Sequence, residues 1–235
     1  MKLQGKKIKS SIVLLVLALT FGWIGSANAK TQENARVTVI HAIPLGFGAD
    51  NVDVYANGTL LINGAVPGAM QTFTVPKGNQ KIDIYPHGTV PSSSTTPLLS
   101  YKKVYLSHNY DVTFVAHLTE DSKPKLSLFK NMTTSAGKKR GWLTVRHLAA
   151  APAVDVRANG AVTLKNLFNS NERKKSFAIN SYSVDVVLAG TTTVAIPAAT
   201  ITLKNDVNTI VYAWGSAAKG NLQFKVQEVP LKKDN

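Results

Sequence analysis

Val39-Ile40-His41 leads across a turn into Val52-Asp53-Val54-Tyr55-Ala56-Asn57-Gly58. About a hundred residues later the phrase returns, as Val145-Arg146-His147 leading into Val154-Asp155-Val156-Arg157-Ala158-Asn159-Gly160. A phrase repeated at this spacing marks a duplicated structural unit. Val-Asp-Val puts the valines on one face of a strand and the aspartate on the other. Asn-Gly then supplies the positive φ angles that a tight hairpin needs. The stretch therefore reads as strand, hairpin, strand, written twice.

Outward from it, nearly every segment has period two or is a short apolar run. Candidate strands in the first copy are Arg36–Ala42, Val52–Ala56, Thr59–Ile62, Gln71–Val75, Lys81–Tyr85, Tyr101–Leu106, Tyr110–Leu118 and Lys125–Phe129. In the second they are Trp142–His147, Val154–Ala158, Val162–Lys165, Ser176–Ile179, Ser183–Leu188, Thr192–Ile196, Thr200–Leu203, Thr209–Trp214 and Leu222–Glu228. Val, Ile, Tyr, Phe and Thr suit a pleated, half-buried surface. No stretch sustains a 3.6-residue apolar period, so helices are expected to be short or absent. About seven short strands per copy, separated by turns, is the pattern of a β-sandwich. The expected fold is all-β: two tandem immunoglobulin-like or transthyretin-like β-sandwich domains behind a cleaved signal peptide.

The leader is residues 1–29. Lys2, Lys6, Lys7 and Lys9 form a basic region, Ile12 to Ile24 is an uncharged apolar run, and Ala27-Asn28-Ala29 is a cleavage signal. That run of thirteen residues is shorter than the roughly 20 a membrane-crossing helix needs. No transmembrane segment is expected in the mature chain, and the expected address is periplasmic or extracellular. The first sandwich is then assigned to 30–130, a polar linker to 131–141 and the second sandwich to 142–235. About 95 residues per copy is enough for a self-standing core, since domains run from ~50 to 250 residues. A second polar stretch, Pro91-Ser92-Ser93-Ser94-Thr95-Thr96-Pro97, falls inside the first copy and reads as an exposed loop.

The formal charge is +14; taking away the four leader lysines leaves +10. Such a surface favours anionic partners through a long-range field that salt weakens. For an exported protein these are an anionic glycan, a lipid headgroup or an envelope protein, with no nucleic acid expected. Lysines also guard the exposed edges of sheets, which would account for their scatter along the chain. The chain has no cysteine, which excludes disulfides and thiolate chemistry.

At the repeated phrase the chain resembles a bacterial family catalogued as domain of unknown function 4397. The first copy keeps His41-Ala42-Ile43-Pro44 and Val52 to Gly58; the second keeps His147, Ala151-Pro152-Ala153-Val154-Asp155-Val156 and Asn159-Gly160. Pro76-Lys77-Gly78 matches a later Pro-x-Gly turn of the family, which the second copy lacks. Leu45 to Asn51 makes the first turn longer than the family pattern. The resemblance covers roughly residues 35–229. It implies exported sandwich modules, often in tandem, and no activity.

His41 and Asp53, and likewise His147 and Asp155, are near enough along the chain for a contact within each copy. One reading makes each pair a catalytic or ligand-binding site. The preferred reading is structural, a hydrogen bond pinning the turn with the aspartate accepting backbone N–H groups. The five histidines (His41, His87, His108, His117 and His147) show no metal-binding spacing, and no hydrolase signature is present, so neither cofactor nor metal is expected. Anion contacts are assigned to Lys138, Lys139 and Arg140 and to Arg173, Lys174 and Lys175. The function expected is a non-catalytic exported binding module. The alternatives are a periplasmic enzyme or metal-handling protein using the His/Asp pairs, and a structural or assembly subunit. The differences between the copies point to the long turn at Leu45–Asn51, the Ser/Thr loop and the basic seam as the places to look.

Overall fold

The computed structural model describes residues 33–232. The leader at 1–29, with its cleavage signal and apolar run, lies outside the described residues. In the first copy the strands are β1 (Asn34–Ala42), β2 (Val52–Ala56), β3 (Thr59–Ala65), β4 (Met70–Pro76), β5 (Gly78–Pro86), β6 (Leu99–Leu106), β7 (Asp111–Leu118) and β8 (Pro124–Lys130). In the second they are β9 (Arg140–Ala150), β10 (Val154–Ala158), β11 (Ala161–Leu167), β12 (Asn171–Ala178), β13 (Ser181–Leu188), β14 (Val194–Thr202), β15 (Val207–Ser216) and β16 (Gln223–Pro230). One short 3₁₀ turn, Ala217–Lys219, precedes β16.

The strand order in the first copy is β4-β1-β7-β8 over β3-β2-β5-β6. The second copy repeats it as β12-β9-β15-β16 over β11-β10-β13-β14. β1 and β7 run parallel, as do β9 and β15, while the other neighbours are antiparallel. Each copy closes around its own core: Val37, Val39, Val54, Ile84 and Phe114 in the first, Leu143, Val145, Val156, Val186 and Val211 in the second. Asn57-Gly58 and Asn159-Gly160 take positive φ at both residues, the hairpin geometry expected of them.

The two sandwiches belong to one compact unit. Sheet β4-β1-β7-β8 is packed against sheet β12-β9-β15-β16 through Ile40, Ala42 and Val115 on one side and Leu148, Ile210, Tyr212, Trp214 and Val229 on the other. Alternation along the strands makes this work. In β1, Val37 and Val39 enter the first core while Ile40 and Ala42 face the second sandwich; in β15, Val211 and Ala213 enter the second core while Ile210 and Tyr212 face the first. Every residue of β7 is buried for this reason. A sheet covered on both faces needs a near-continuous apolar run rather than apolar–polar alternation.

Two strand assignments change. Thr192–Ile196 and Thr200–Leu203 are one strand, β14, whose register against β13 shifts around Val184, Val186 and Val187. Pro197 lies inside it; an edge strand with a bulge accommodates a residue that has no N–H to donate. Strand β12 starts at Asn171 rather than Ser176, so the charged run Arg173-Lys174-Lys175 belongs to the strand. It pairs with β9 and forms the edge of its sheet, a position where lysines deter pairing with other chains.

Candidate functional site

The repeated histidine and aspartate occupy matching places in the two copies, and they do not bond to each other. His41 Nε2–H donates to the Ala49 carbonyl at 2.6 Å, and Nδ1 faces the Ile43 N–H at 3.5 Å. His147 Nε2–H lies 2.9 Å from the Pro152 carbonyl and 3.2 Å from that of Ala151. Both rings are buried, His41 just before the end of β1 and His147 three residues before the end of β9, and burial lowers their pKa below the ordinary histidine value. They hold turns as neutral groups.

The expected His–Asp contacts are therefore corrected. Asp53 accepts from the Gly64 amide at 2.7 Å, from the Gly88 amide at 2.9 Å and from His87 Nδ1 at 2.9 Å. Asp155 accepts from the amides of Asn166 at 2.8 Å and Gly190 at 3.0 Å. Gly64 and Asn166 sit at matching bulges with left-handed φ of 70° and 49°. That conformation turns the amide away from its own ladder and toward the carboxylate. Burial opposes ionisation of Asp53, yet His87 and the two amides hold its carboxyl below the usual range. For Asp155 the Gly190 and Asn166 amides do the same against a smaller burial effect. The contact fails because each histidine lies in a strand of one sheet and each aspartate in a strand of the other, beside a bulge. The aspartates do accept backbone N–H groups, as the structural reading had it.

This arrangement makes a stability prediction. Asp53→Ala strands two amides and should cost about 1–3 kcal/mol. His41→Ala and Asp53→Ala share no partner, so their costs should add within about 0.5 kcal/mol. Urea denaturation of both single variants and the double variant measures this. A coupling above about 1 kcal/mol would mean that His41 and Asp53 interact after all.

The seam between the sandwiches carries the richest polar chemistry. Arg146 is 0% exposed. Its Nε donates to Glu172 at 2.9 Å, Nη1 to the Tyr212 hydroxyl at 2.8 Å and Nη2 to Asn131 Oδ1 at 2.8 Å. The guanidinium lies 4.4 Å from the centroid of Phe129. Asn131 donates onward to Asp111, which also accepts from Arg36 at 2.9 Å. Tyr212 donates to Gln227, whose amide reaches Thr38 in the first sandwich at 2.9 Å.

One end of this seam opens as a cavity of about 480 Å³ lined by His108, Asn109, Tyr110, Asp111, Thr133 and Thr134, with Lys130, Lys174 and Lys232 around it. The lysines come from three separate elements: the end of β8, edge strand β12 and the segment after β16. Lys130 Nζ stands 3.9 Å over the Tyr110 ring. Lys174 Nζ is 3.8 Å from Glu172, whose other oxygen serves Arg146.

Of the six basic residues picked out in the sequence, Lys174 alone lines this cavity. Arg140 is laid across β12, donating to the Ser176 carbonyl at 2.6 Å and hydroxyl at 3.1 Å, so both clusters share the β9–β12 edge. Lys138 and Lys139 are exposed in the approach to β9, and Arg173 and Lys175 are exposed on β12. Lys130 and Lys232 were missed because nothing along the chain shows that two strand ends 102 residues apart meet. Arg146 had a signal: it occupies, within the repeated phrase, the place that Ile40 holds in the first copy.

The family model described as a domain of unknown function (DUF4397) matches residues 35–157, more than half of the chain. The chain belongs to this family. The DUF4397 match takes in all but the first residue of the first sandwich's strands, together with β9 and all but the last residue of β10 in the second. No curated protein matches. Among solved structures, the Bacillus anthracis TIE protein is similar at 10% identity and a TM-score of 0.23, over 78% of this chain and 32% of that one. This DUF4397 chain thus spans about a third of the length of the TIE chain. The CBMbc (family CBM26) of Eubacterium rectale Amy13K, solved with maltoheptaose, is similar at 12% identity and a TM-score of 0.24, over 85% of this chain and 98% of that one. Among the described residues, no helix is long and apolar enough to cross a membrane.

Proposed function

We propose that this DUF4397 protein is an exported, non-catalytic binding module that holds an anionic glycan in the seam cavity. The observation that carries the reading is the convergence of Lys130, Lys174 and Lys232 on one cleft. Its acidic residue, Asp111, is already bonded by Arg36 and Asn131. Asn109, Thr133 and Thr134 add uncharged groups suited to sugar hydroxyls. Arg140, on the same edge strand pair, extends the positive surface. Export rests on the leader and its Ala27-Asn28-Ala29 signal.

Titration with tetragalacturonate, with neutral maltotetraose as control, tests this at two salt concentrations. The triple variant Lys130→Ala/Lys174→Ala/Lys232→Ala should bind the uronate about tenfold or more weakly at low salt, with the gap closing as salt rises. Lys138→Ala/Lys139→Ala/Arg140→Ala should have a smaller effect, since those groups lie outside the cavity lining. Equal binding of both sugars, or uronate binding unmoved by the first triple variant, would defeat the proposal.

A further inference from the structure

The links that differ most between the copies meet at one place. β1 and β2 are joined by nine residues, 43–51, where β9 and β10 are joined by three, 151–153. β5 and β6 are joined by twelve residues, 87–98, against five, 189–193, between β13 and β14. Both longer links border a cavity of about 240 Å³ in the first sandwich: the first supplies Phe47 and Ala49, the second Leu98. Its inner wall includes Ile84 and Ala116, each 2% exposed. Its mouth lies where β6 and β8 begin, beside Leu98, which is 42% exposed, and Leu99.

The only polar side chain in this lining is His41. Both of its ring nitrogens face backbone partners, the Ala49 carbonyl and the Ile43 amide. The interior therefore has nothing to offer a charge or a sugar hydroxyl, and a polar group placed there would lose its water without replacement. An apolar cavity of about 150 Å³ is already large enough to bind benzene. This one is larger and open at one end.

We propose that the cavity takes the end of an alkyl chain belonging to an amphiphile whose polar head stays in solvent beside Leu98. The net charge of +10 that remains when the four leader lysines are taken from the formal +14 favours an anionic head through its long-range field. The site is separate from the seam cavity, with no lining residue in common.

Decanoate, kept below the concentration at which it self-associates, is the probe, and gluconate supplies a carboxylate without the chain. Methyl NMR should show saturable shifts at Leu99 and Ala116 with decanoate and none with gluconate. Leu99→Trp narrows the mouth and should weaken binding by about tenfold. Leu98→Ser, at an exposed position where folding is not at stake, should weaken it by about fivefold. The lysine triple variant of the seam should leave the Ala116 shifts in place, which separates this site from the glycan reading. Absence of saturable Leu99 and Ala116 shifts with decanoate overturns the proposal. So do matching shifts with gluconate, or binding unchanged in both mouth variants.

Discussion

Arg146→Ala should lower the unfolding free energy by about 3–5 kcal/mol, the cost of breaking a buried, hydrogen-bonded ion pair from one side. The truncation leaves Glu172 without its guanidinium, the Tyr212 hydroxyl without a donor, and the Asn131 carbonyl with only the longer bond from the Thr113 hydroxyl, at 3.3 Å. It also opens a void against Phe129, since Arg146 is among the largest fully buried side chains. Arg146→Met is the informative companion. The matching position in the first sandwich is Ile40, so an apolar residue suits this face, and filling the volume should recover more than half of the loss. Urea unfolding followed by tryptophan fluorescence reports on the change directly, because Trp214 is buried in this interface. A cost below 1 kcal/mol for Arg146→Ala would mean that the network is peripheral. Equal costs for the two variants would mean that the charge itself, rather than packing and pairing, sets the stability of the seam.

The seam joins two copies that are alike in topology and unlike in what they present. Ile40 and Val115 give the first sandwich an apolar centre; Arg146 and Tyr212 stand at the corresponding places in the second. An arginine that must meet Asn131, Tyr212 and Glu172 together restricts how the sheets slide past each other, which apolar contact alone does not do. Asn131, the first residue after β8, ties the connecting segment into the same network. The two faces share a topology, and Arg146, standing where the first sandwich has Ile40, makes them complementary.

Much of the fold was legible because the β periodicity is local. Val52–Ala56 and Val154–Ala158 match their predicted ends, and the Asn-Gly turns adopt the backbone their residues require. The edge strand β12 was obscured by its own charge: Arg173-Lys174-Lys175 looks like a solvated turn, although lysine on an edge is how a sheet protects itself. The partners of His41 and Asp53 were hidden for another reason. Each binds backbone groups displayed by a bulge or a turn, and side-chain identity does not show where an amide or carbonyl will point. The lysines of the seam cavity were still less visible, because their meeting depends on how two finished sandwiches pack.

Lowering the pH from 7 to 4 should cost about 3 kcal/mol of stability through His117 alone. This side chain is fully buried; Nδ1–H donates to the Leu118 carbonyl at 2.8 Å, and Nε2 lies 2.8 Å from the Ser127 hydroxyl. Burial, opposed by the bond to Leu118 and aided by the positive charge of Lys125, takes its pKa from 6.5 down to about 4. The folded state therefore keeps the ring neutral in a range where the unfolded chain protonates it. Stability from this source is complete above the unfolded value, falls as pH drops below 6.5 and is exhausted below about 4. His41 and His147, also lowered by burial, act in the same direction. The depressed carboxyls of Asp53 and Asp155 are lost only below the ordinary aspartate value of 3.8, so the windows separate. Urea unfolding at intervals between pH 7.5 and 4 should show the decline in the wild type. His117→Gln, whose amide presents a donor and an acceptor without titrating, should make it shallower and leave the part due to His41 and His147, whatever its stability at pH 7. An equally steep decline in that variant would place the titrating group elsewhere, and a flat wild-type curve would mean that His117 is not held neutral by the fold.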